Sequence, residues 1–135
     1  MNSIESIQSI LQPLFPGLMG VRLTEATKER VVATMTVRPE LCTTGNAVHG
    51  GALMAFADTL GAVGTFMNLP QGARTTTIES KTNFVGAAAV GSTLTGECTA
   101  FHRGRTTMVW QTLIRSDAGK LVAVVSQTQL VIPGP

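Results

Sequence analysis

The run His49-Gly50-Gly51-Ala52-Leu53-Met54-Ala55-Phe56-Ala57-Asp58-Thr59-Leu60-Gly61-Ala62-Val63-Gly64 is long, free of proline and carries one charge in its middle. Its apolar residues are not confined to one face, and a helix apolar all round is one that the rest of the fold encloses. Helical spacing puts Gly51, Ala55, Asp58, Ala62 and Thr65 on one side and Leu53, Phe56, Leu60 and Val63 on the other. The second side is ordinary core. The first is lined by small residues, so a ligand can come close to Asp58. A carboxylate in such a helix is costly unless it is paired or hydrogen-bonded. Asp58 is therefore either an acid kept for chemistry, as general base or nucleophile, or one that hydrogen-bonds to a partner subunit.

His49-Gly50-Gly51 opens this helix. A helix N-terminus presents unpaired N–H groups and partial positive charge, and glycine lets a ligand approach that backbone closely. A carbonyl oxygen placed there would be polarised as in an oxyanion hole. A tight turn into the helix, with His49 as a structural hydrogen-bonder, needs the same residues. Gly50 precedes Asp58 by eight residues, about 12 Å at ~1.5 Å per residue. The two cannot meet on one carbon within one chain, but the helix end of one subunit and the acid of its neighbour can.

Upstream, Ile4, Ile7, Ile10, Leu11 and Leu14 recur at helical spacing over 3–15 behind Ser3 as N-cap, and Pro13 and Pro16-Gly17 end that helix. Residues 19–25 and 30–37 read as strands joined by a turn at Ala26-Thr27-Lys28-Glu29, and 39–45 as a loop. After a break at Asn68-Leu69-Pro70-Gln71-Gly72, strands are expected over 75–84, 92–101, 106–115 and 121–131. Short connections make them antiparallel. The order α-β-β-α-β-β-β-β is that of an α+β fold, an antiparallel sheet curled around one long central helix, with 1–135 forming a single domain. Glu79 and Lys81 share a strand face and are expected to pair. Met108 and Trp110 alternate on a strand and belong to core or interface.

Charged residues make up only 13% of the chain against 44% hydrophobic, which points to a covered surface and a homo-oligomer. The net charge of +2 and the scattered basic residues exclude a nucleic-acid binder. No run of membrane-spanning length exists outside the central helix, whose acid argues against spanning, and no signal-peptide pattern opens the chain. Cys42 and Cys98 lack metal spacing and read as free thiols of a cytoplasmic protein. No Cys/His cluster calls for a metal.

Val48-His49-Gly50-Gly51 followed by Ala57-Asp58 resembles the signature of hotdog-fold acyl-CoA thioesterases of the phenylacetate-pathway (PaaI) type. That group includes the 4-hydroxybenzoyl-CoA and 1,4-dihydroxy-2-naphthoyl-CoA thioesterases. The resemblance continues in Phe101-His102-Arg103-Gly104-Arg105 and Asp117-Ala118-Gly119-Lys120-Leu121-Val122-Ala123, and covers roughly residues 15–131. It implies a hotdog fold, hydrolysis of an acyl- or aryl-CoA thioester to free acid and CoA, no cofactor because CoA is part of the substrate, and a dimer or dimer of dimers, a homotetramer. It implies Asp58 as base or nucleophile and Gly50, in the motif with His49 and Gly51, as the glycine whose N–H polarises the thioester carbonyl across a subunit interface. Thr77, or Thr76 if the gap falls differently, matches a hydroxyl that orients water or substrate from the neighbouring chain. Arg103 and Arg105, flanking Gly104, fall where the family binds the phosphates or adenine end of CoA; plain solvated loop charges are the alternative.

The chain departs from that pattern in places. Thr43 stands where many relatives have Asn or Gln, and Asn46 stands where glycine is common; either could take the amide's role, and Asn tolerates the left-handed conformation. Phe84 replaces the histidine of the dihydroxynaphthoyl enzymes, which argues against that substrate. Gln127-Thr128-Gln129 stands where some relatives carry a His-Thr pair. Two other functions fit the fold. A non-catalytic acyl-CoA binder would bind without turnover. A dehydratase would pair an acid with a histidine, an arrangement that His49 inside the Gly-Gly motif does not suggest.

Overall fold

The computed structural model describes residues 3–135. Ser3 caps the first helix, α1 (Ile4–Leu11), its Oγ accepting from the Ser6 N–H at 3.1 Å. α1 stops short of the expected 3–15, with Pro13 following its C-cap Gln12 as an expected stop, whereas Pro16 starts a helix instead of ending one. It lies in the first turn of α2 (Phe15–Met19), where the missing N–H would have had no partner anyway. Gly20, at φ +81°, closes α2, so β1 (Arg22–Ala26) begins later than expected.

The chain continues through β2 (Arg30–Thr36), a 3-10 turn at Pro39–Leu41, a two-residue hairpin of β3 (Cys42–Thr43) and β4 (Ala47–Val48), and α3 (Gly50–Phe66). Four long strands follow: β5 (Arg74–Phe84), β6 (Thr93–Arg103), β7 (Thr107–Arg115) and β8 (Leu121–Ile132). They join β1 and β2 in one six-stranded antiparallel sheet of order β1-β2-β6-β7-β8-β5. The expected loop at 39–45 thus contains the turn and the small hairpin that deliver the chain to α3. The α+β hotdog arrangement, an antiparallel sheet on a long central helix, is present as the sequence implies.

α3 packs against β2, β5, β6, β7 and β8. Leu53, Phe56, Leu60 and Val63 are buried together with Met35, Leu94, Trp110 and Ile114, each worth about 1.5–3 kcal/mol of transfer free energy. Two glycines set the helix–sheet distance. A Cβ on Gly64 would lie 2.7 Å from the Trp110 ring, and one on Gly61 would lie 2.3 Å from Gln127 Cδ. Trp110 Nε1 donates to Thr65 Oγ1 at 2.9 Å, so the indole is buried with its polar atom satisfied.

The helix is not enclosed on all sides, contrary to the expectation from its composition. Gly51 and Phe66 are exposed, and Ala52, Met54, Ala55, Asp58 and Ala62 only half-buried. One sheet covers one side of a helix, and α2 reaches only part of the other. The uncovered side is the small-residue face that holds Asp58.

The sheet's two edges differ. At β1, the Gln8 side chain donates to the Val21 carbonyl (3.0 Å) and accepts from the Leu23 N–H (2.9 Å), covering the edge with α1. At β5, eleven residues long, no described strand pairs with the outer edge, and Ile78 is 56% and Phe84 53% exposed. The expected Glu79–Lys81 pair does not form: Lys81 Nζ donates to Asn83 Oδ1 at 3.0 Å. Both side chains are on the exposed face, but Glu79, set opposite Thr128, accepts from its hydroxyl at 3.5 Å, and Asn83 takes the ammonium on the far side of Lys81.

Candidate active site

Asp58 lies midway along α3, above the inner faces of β5 and β8. Strand alternation decides which threonine meets it. Thr75 and Thr77 point inward on β5 and Thr76 is exposed. The Thr77 hydroxyl donates to Asp58 Oδ1 at 2.5 Å. The contact joins two groups of the same chain, whereas the resemblance implied a hydroxyl supplied by the neighbour. Gln127 Nε2, on β8, lies 3.3 Å from the same Oδ1 and 3.5 Å from the Asp58 carbonyl oxygen. Behind Thr77, Gln129 Nε2 donates to its hydroxyl oxygen at 2.7 Å, and Gln129 Oε1 accepts from the Thr75 hydroxyl at 2.8 Å. Oδ2 of Asp58 accepts no hydrogen bond from the described residues.

Asp58 opens onto two spaces. One is a cleft it shares with Met54, Ala55, Thr77 and Ser80, and the Ser80 hydroxyl is buried there without a partner among the described residues. The other is a cavity of about 460 Å³ between α3 and the two N-terminal helices, walled by Ile7, Leu11, Phe15, Ala62 and Val63 among others. Asp58 is the one charged group that the described residues contribute to that wall.

At the helix start, His49 Nδ1 accepts from the Gly51 N–H at 2.8 Å and caps α3. Gly51's amide is thereby occupied, and the Ala52 and Leu53 amides turn to the His49 carbonyl (3.0 and 3.3 Å). The Gly50 amide donates to nothing among the described residues and remains the free N–H at a positively polarised helix end. The Phe84 ring stands over it, so close that a Cβ on Gly50 would lie 3.0 Å from Phe84 Cε1. Asn46 takes the left-handed conformation, φ 58°, at the tip of the β3–β4 hairpin; it and Thr43 are exposed and neither side chain touches Asp58.

Arg103 and Arg105 sit at the β6–β7 turn, which closes through the Gly104 N–H to the Thr107 carbonyl at 2.9 Å. Arg103 is held by Glu29 and Asn68, each at 3.4 Å. Arg105 is exposed and pairs with no group among the described residues. Asn68 follows the C-terminal end of α3, so the arginines lie at the opposite end of that helix from Gly50. For its 17 residues that is about 25 Å.

Both cysteines are free. Burial pushes the Cys98 thiol up to about 12, and Cys42, half-buried, points to the Arg38 carbonyl at 3.4 Å. No group of three or more His, Cys, Asp or Glu able to hold a metal ion exists among the described residues, and no described helix is long and apolar enough to cross a membrane. Sequence reasoning notes Gln127-Thr128-Gln129 only as a departure from the resembled pattern and gives neither glutamine a role in the site. The signal that could have found them is the alternation Val125, Gln127, Gln129, Val131 on β8, two amides in a row of buried positions.

Residues 45–123 match the family model described as the thioesterase superfamily. A candidate esterase of Deinococcus radiodurans is 34% identical over 122 residues, 87% of this chain and 76% of that protein. A thioesterase of Haemophilus influenzae superposes with a TM-score of 0.91 at 24% identity, covering 98% of this chain and 92% of its own. A hypothetical thioesterase of Streptococcus pneumoniae, crystallised with coenzyme A, does so with a TM-score of 0.77 at 24% identity, covering 84% and 87%. Matched over more than half its length by the family model, and carrying an acid on the open face of a helix laid on an antiparallel sheet, the chain belongs to the thioesterase superfamily and is a thioester hydrolase.

Proposed function

We propose that the chain hydrolyses an acyl- or aryl-CoA thioester at a site shared by two subunits, with Asp58 of one and the Gly50 N–H of the other. The observation that carries this is the separation of the two groups within one chain. Asp58 is held by Thr77 with its second oxygen free, while the free Gly50 amide lies at the end of the same helix, about 12 Å away at ~1.5 Å per residue. A two-fold pairing through the open β5 edge sets two copies of α3 antiparallel, which turns the helix start of each toward the acid of the other.

In that site the Gly50 N–H polarises the thioester carbonyl. Asp58 either attacks the carbonyl carbon or takes the proton of an attacking water. If Asp58 attacks, its oxygen bonds the acyl carbon as the C–S bond breaks, and water then hydrolyses the mixed anhydride. If it takes a water proton, the water oxygen bonds the carbon as the C–S bond breaks. In both cases water supplies the proton for the leaving thiolate, and the products are the carboxylic acid and the CoA thiol. His49 serves by capping the helix and Thr77 by orienting the carboxylate. Arg105, free of any partner among the described residues, and Arg103 beside it suit the phosphates of CoA, the ligand with which the pneumococcal relative was crystallised. The uncharged walls of the cavity beside Asp58 suit an apolar acyl or aryl group. The reaction so written needs no metal or cofactor. Two cysteines without a disulfide suit a reducing compartment, which supports a cytoplasmic location.

Thiol release from a panel of benzoyl-, phenylacetyl- and octanoyl-CoA, compared between wild type and Asp58→Asn, tests the proposal. Turnover by the wild type that collapses in the variant, with oligomeric state and fold unchanged, supports it. Binding of these esters without release of thiol would instead indicate a CoA-ester-binding protein.

A further inference from the structure

We infer that Gln129 and Gln127, two buried glutamines of β8, are positioning residues that decide which oxygen of Asp58 is free to react. The inference rests on the reading of Asp58 as the acting group. An amide in a row of apolar core positions is destabilising unless its donors and acceptor are met. Gln129, fully buried, meets both: its Oε1 accepts from Thr75 Oγ1 at 2.8 Å and its Nε2 donates to Thr77 Oγ1 at 2.7 Å. A hydroxyl has one proton. With the Gln129 amide donating to the Thr77 oxygen, Thr77's own proton is directed to Asp58 Oδ1, at 2.5 Å. The hydrogen bonds that reach the carboxylate therefore run one way, from Gln129 Nε2 through Thr77 to Oδ1, while Thr75 has both Gln129 Oε1 (2.8 Å) and the Leu130 carbonyl (3.0 Å) as acceptors for its one proton. With the amide reversed, Gln129 would claim the Thr77 proton and strip Asp58 of its shortest donor.

Gln127 adds a second donor to the same oxygen, at 3.3 Å. Its Oε1 is buried with no partner among the described residues. The fold carries that unmet acceptor while the amide nitrogen points at Asp58. Gly61 makes the room, since a Cβ there would lie 2.3 Å from Gln127 Cδ. Oδ1 is thus doubly held, and Oδ2, which the described residues leave unbonded, is the oxygen left for the water or the thioester carbon.

The test is a kinetic cycle on the best ester of the panel, using wild type, Gln129→Leu, Thr77→Val, the double variant and Asp58→Asn, with Gln129→Glu as a same-size variant in case the leucine does not fold. Gln129→Leu should lower kcat about tenfold, the effect of losing one hydrogen bond that acts on a charged group, while KM holds. In the Thr77→Val background the same change should cost nothing further, because Gln129 acts through Thr77. A merely structural glutamine would add its loss in full on top of Thr77→Val, and that result, or an unchanged kcat, overturns the inference. Asp58→Asn with wild-type turnover overturns the reading of Asp58 and this inference together. Asp58→Asn inactive beside a fully active Gln129→Leu overturns this inference alone.

Discussion

Thr77 Oγ1 stands 2.5 Å from Asp58 Oδ1, and both groups belong to one chain, nineteen residues apart. The acid therefore needs no partner subunit to be oriented. Thr77→Val should lower kcat about ten- to a hundredfold, the range for removing a hydrogen bond to a charged group, with little change in KM. Thr77→Ser should keep most of the activity. Thr76→Val, on the exposed side of the same strand, should leave steady-state kinetics unchanged; a loss there equal to that at Thr77 would mean the strand is read in the wrong register.

Gly64 faces Trp110 at a distance that admits no side chain, a Cβ lying 2.7 Å from the ring. Gly64→Ala should destabilise the fold by about 1–3 kcal/mol, as overpacking does, and alter tryptophan emission by displacing the indole from Thr65. Urea unfolding followed by fluorescence measures both, and an unchanged midpoint would show that helix and sheet separate freely.

Much of the fold is legible in the sequence, for identifiable reasons. α3 stands out because a proline-free apolar run with one acid at its centre fits a core helix and little else, and Leu53, Phe56, Leu60 and Val63 fall on its core face as spacing requires. Thr77 matches a site hydroxyl, but spacing alone leaves Thr76 open; only the strand's inward phase separates them. The glutamines of β8 stay hidden because their meaning depends on which threonines β5 brings alongside, a long-range register no local pattern encodes. Pro16 misleads as a helix stop because proline ends and begins helices alike, and only the left-handed Gly20 after it tells which. Glu79 and Lys81 do share an exposed face as alternation requires, but each finds another partner, Thr128 and Asn83, which strand period alone does not announce.

Cys98 gives a pH dependence with a definite sign. Its thiol is pushed up from 9.0 to about 12 by burial, so the unfolded chain ionises it at a pH where the native chain does not. The native state's preference for the protonated thiol is fully present below about 9 and is lost as pH rises toward 12. Stability of the wild type should fall over that window more than stability of Cys98→Ala does, read as urea midpoints at pH 8 and pH 10. At pH 8, Ellman's reagent should find the Cys98 thiol only after denaturation. Equal reaction of both thiols in the folded protein would contradict the burial argument.

The β5 edge carries the expectation of a homo-oligomer. Ile78 is 56% exposed on an eleven-residue strand whose outer edge pairs with no described strand. Such an edge invites pairing and is discouraged by charge. Ile78→Lys should shift the protein toward monomer in light scattering and lower thioesterase activity in parallel. A monomeric variant with full activity would place the whole site in one chain.

The most direct test of the shared site is subunit complementation. Asp58→Asn removes the acid, and Gly50→Pro removes the N–H at the first helical position, where the backbone suits proline and the half-exposed Phe84 ring must shift slightly to admit its Cβ; each variant alone should be inactive. Mixed by co-expression, the two form hybrids in which the Asp58 of one subunit meets the Gly50 of the other. About a quarter of wild-type turnover should return if random two-fold pairing restores one of the two sites in each hybrid. Failure to regain any activity, with hybrids demonstrated by mass spectrometry, would contradict a site built from Asp58 and Gly50 of different subunits.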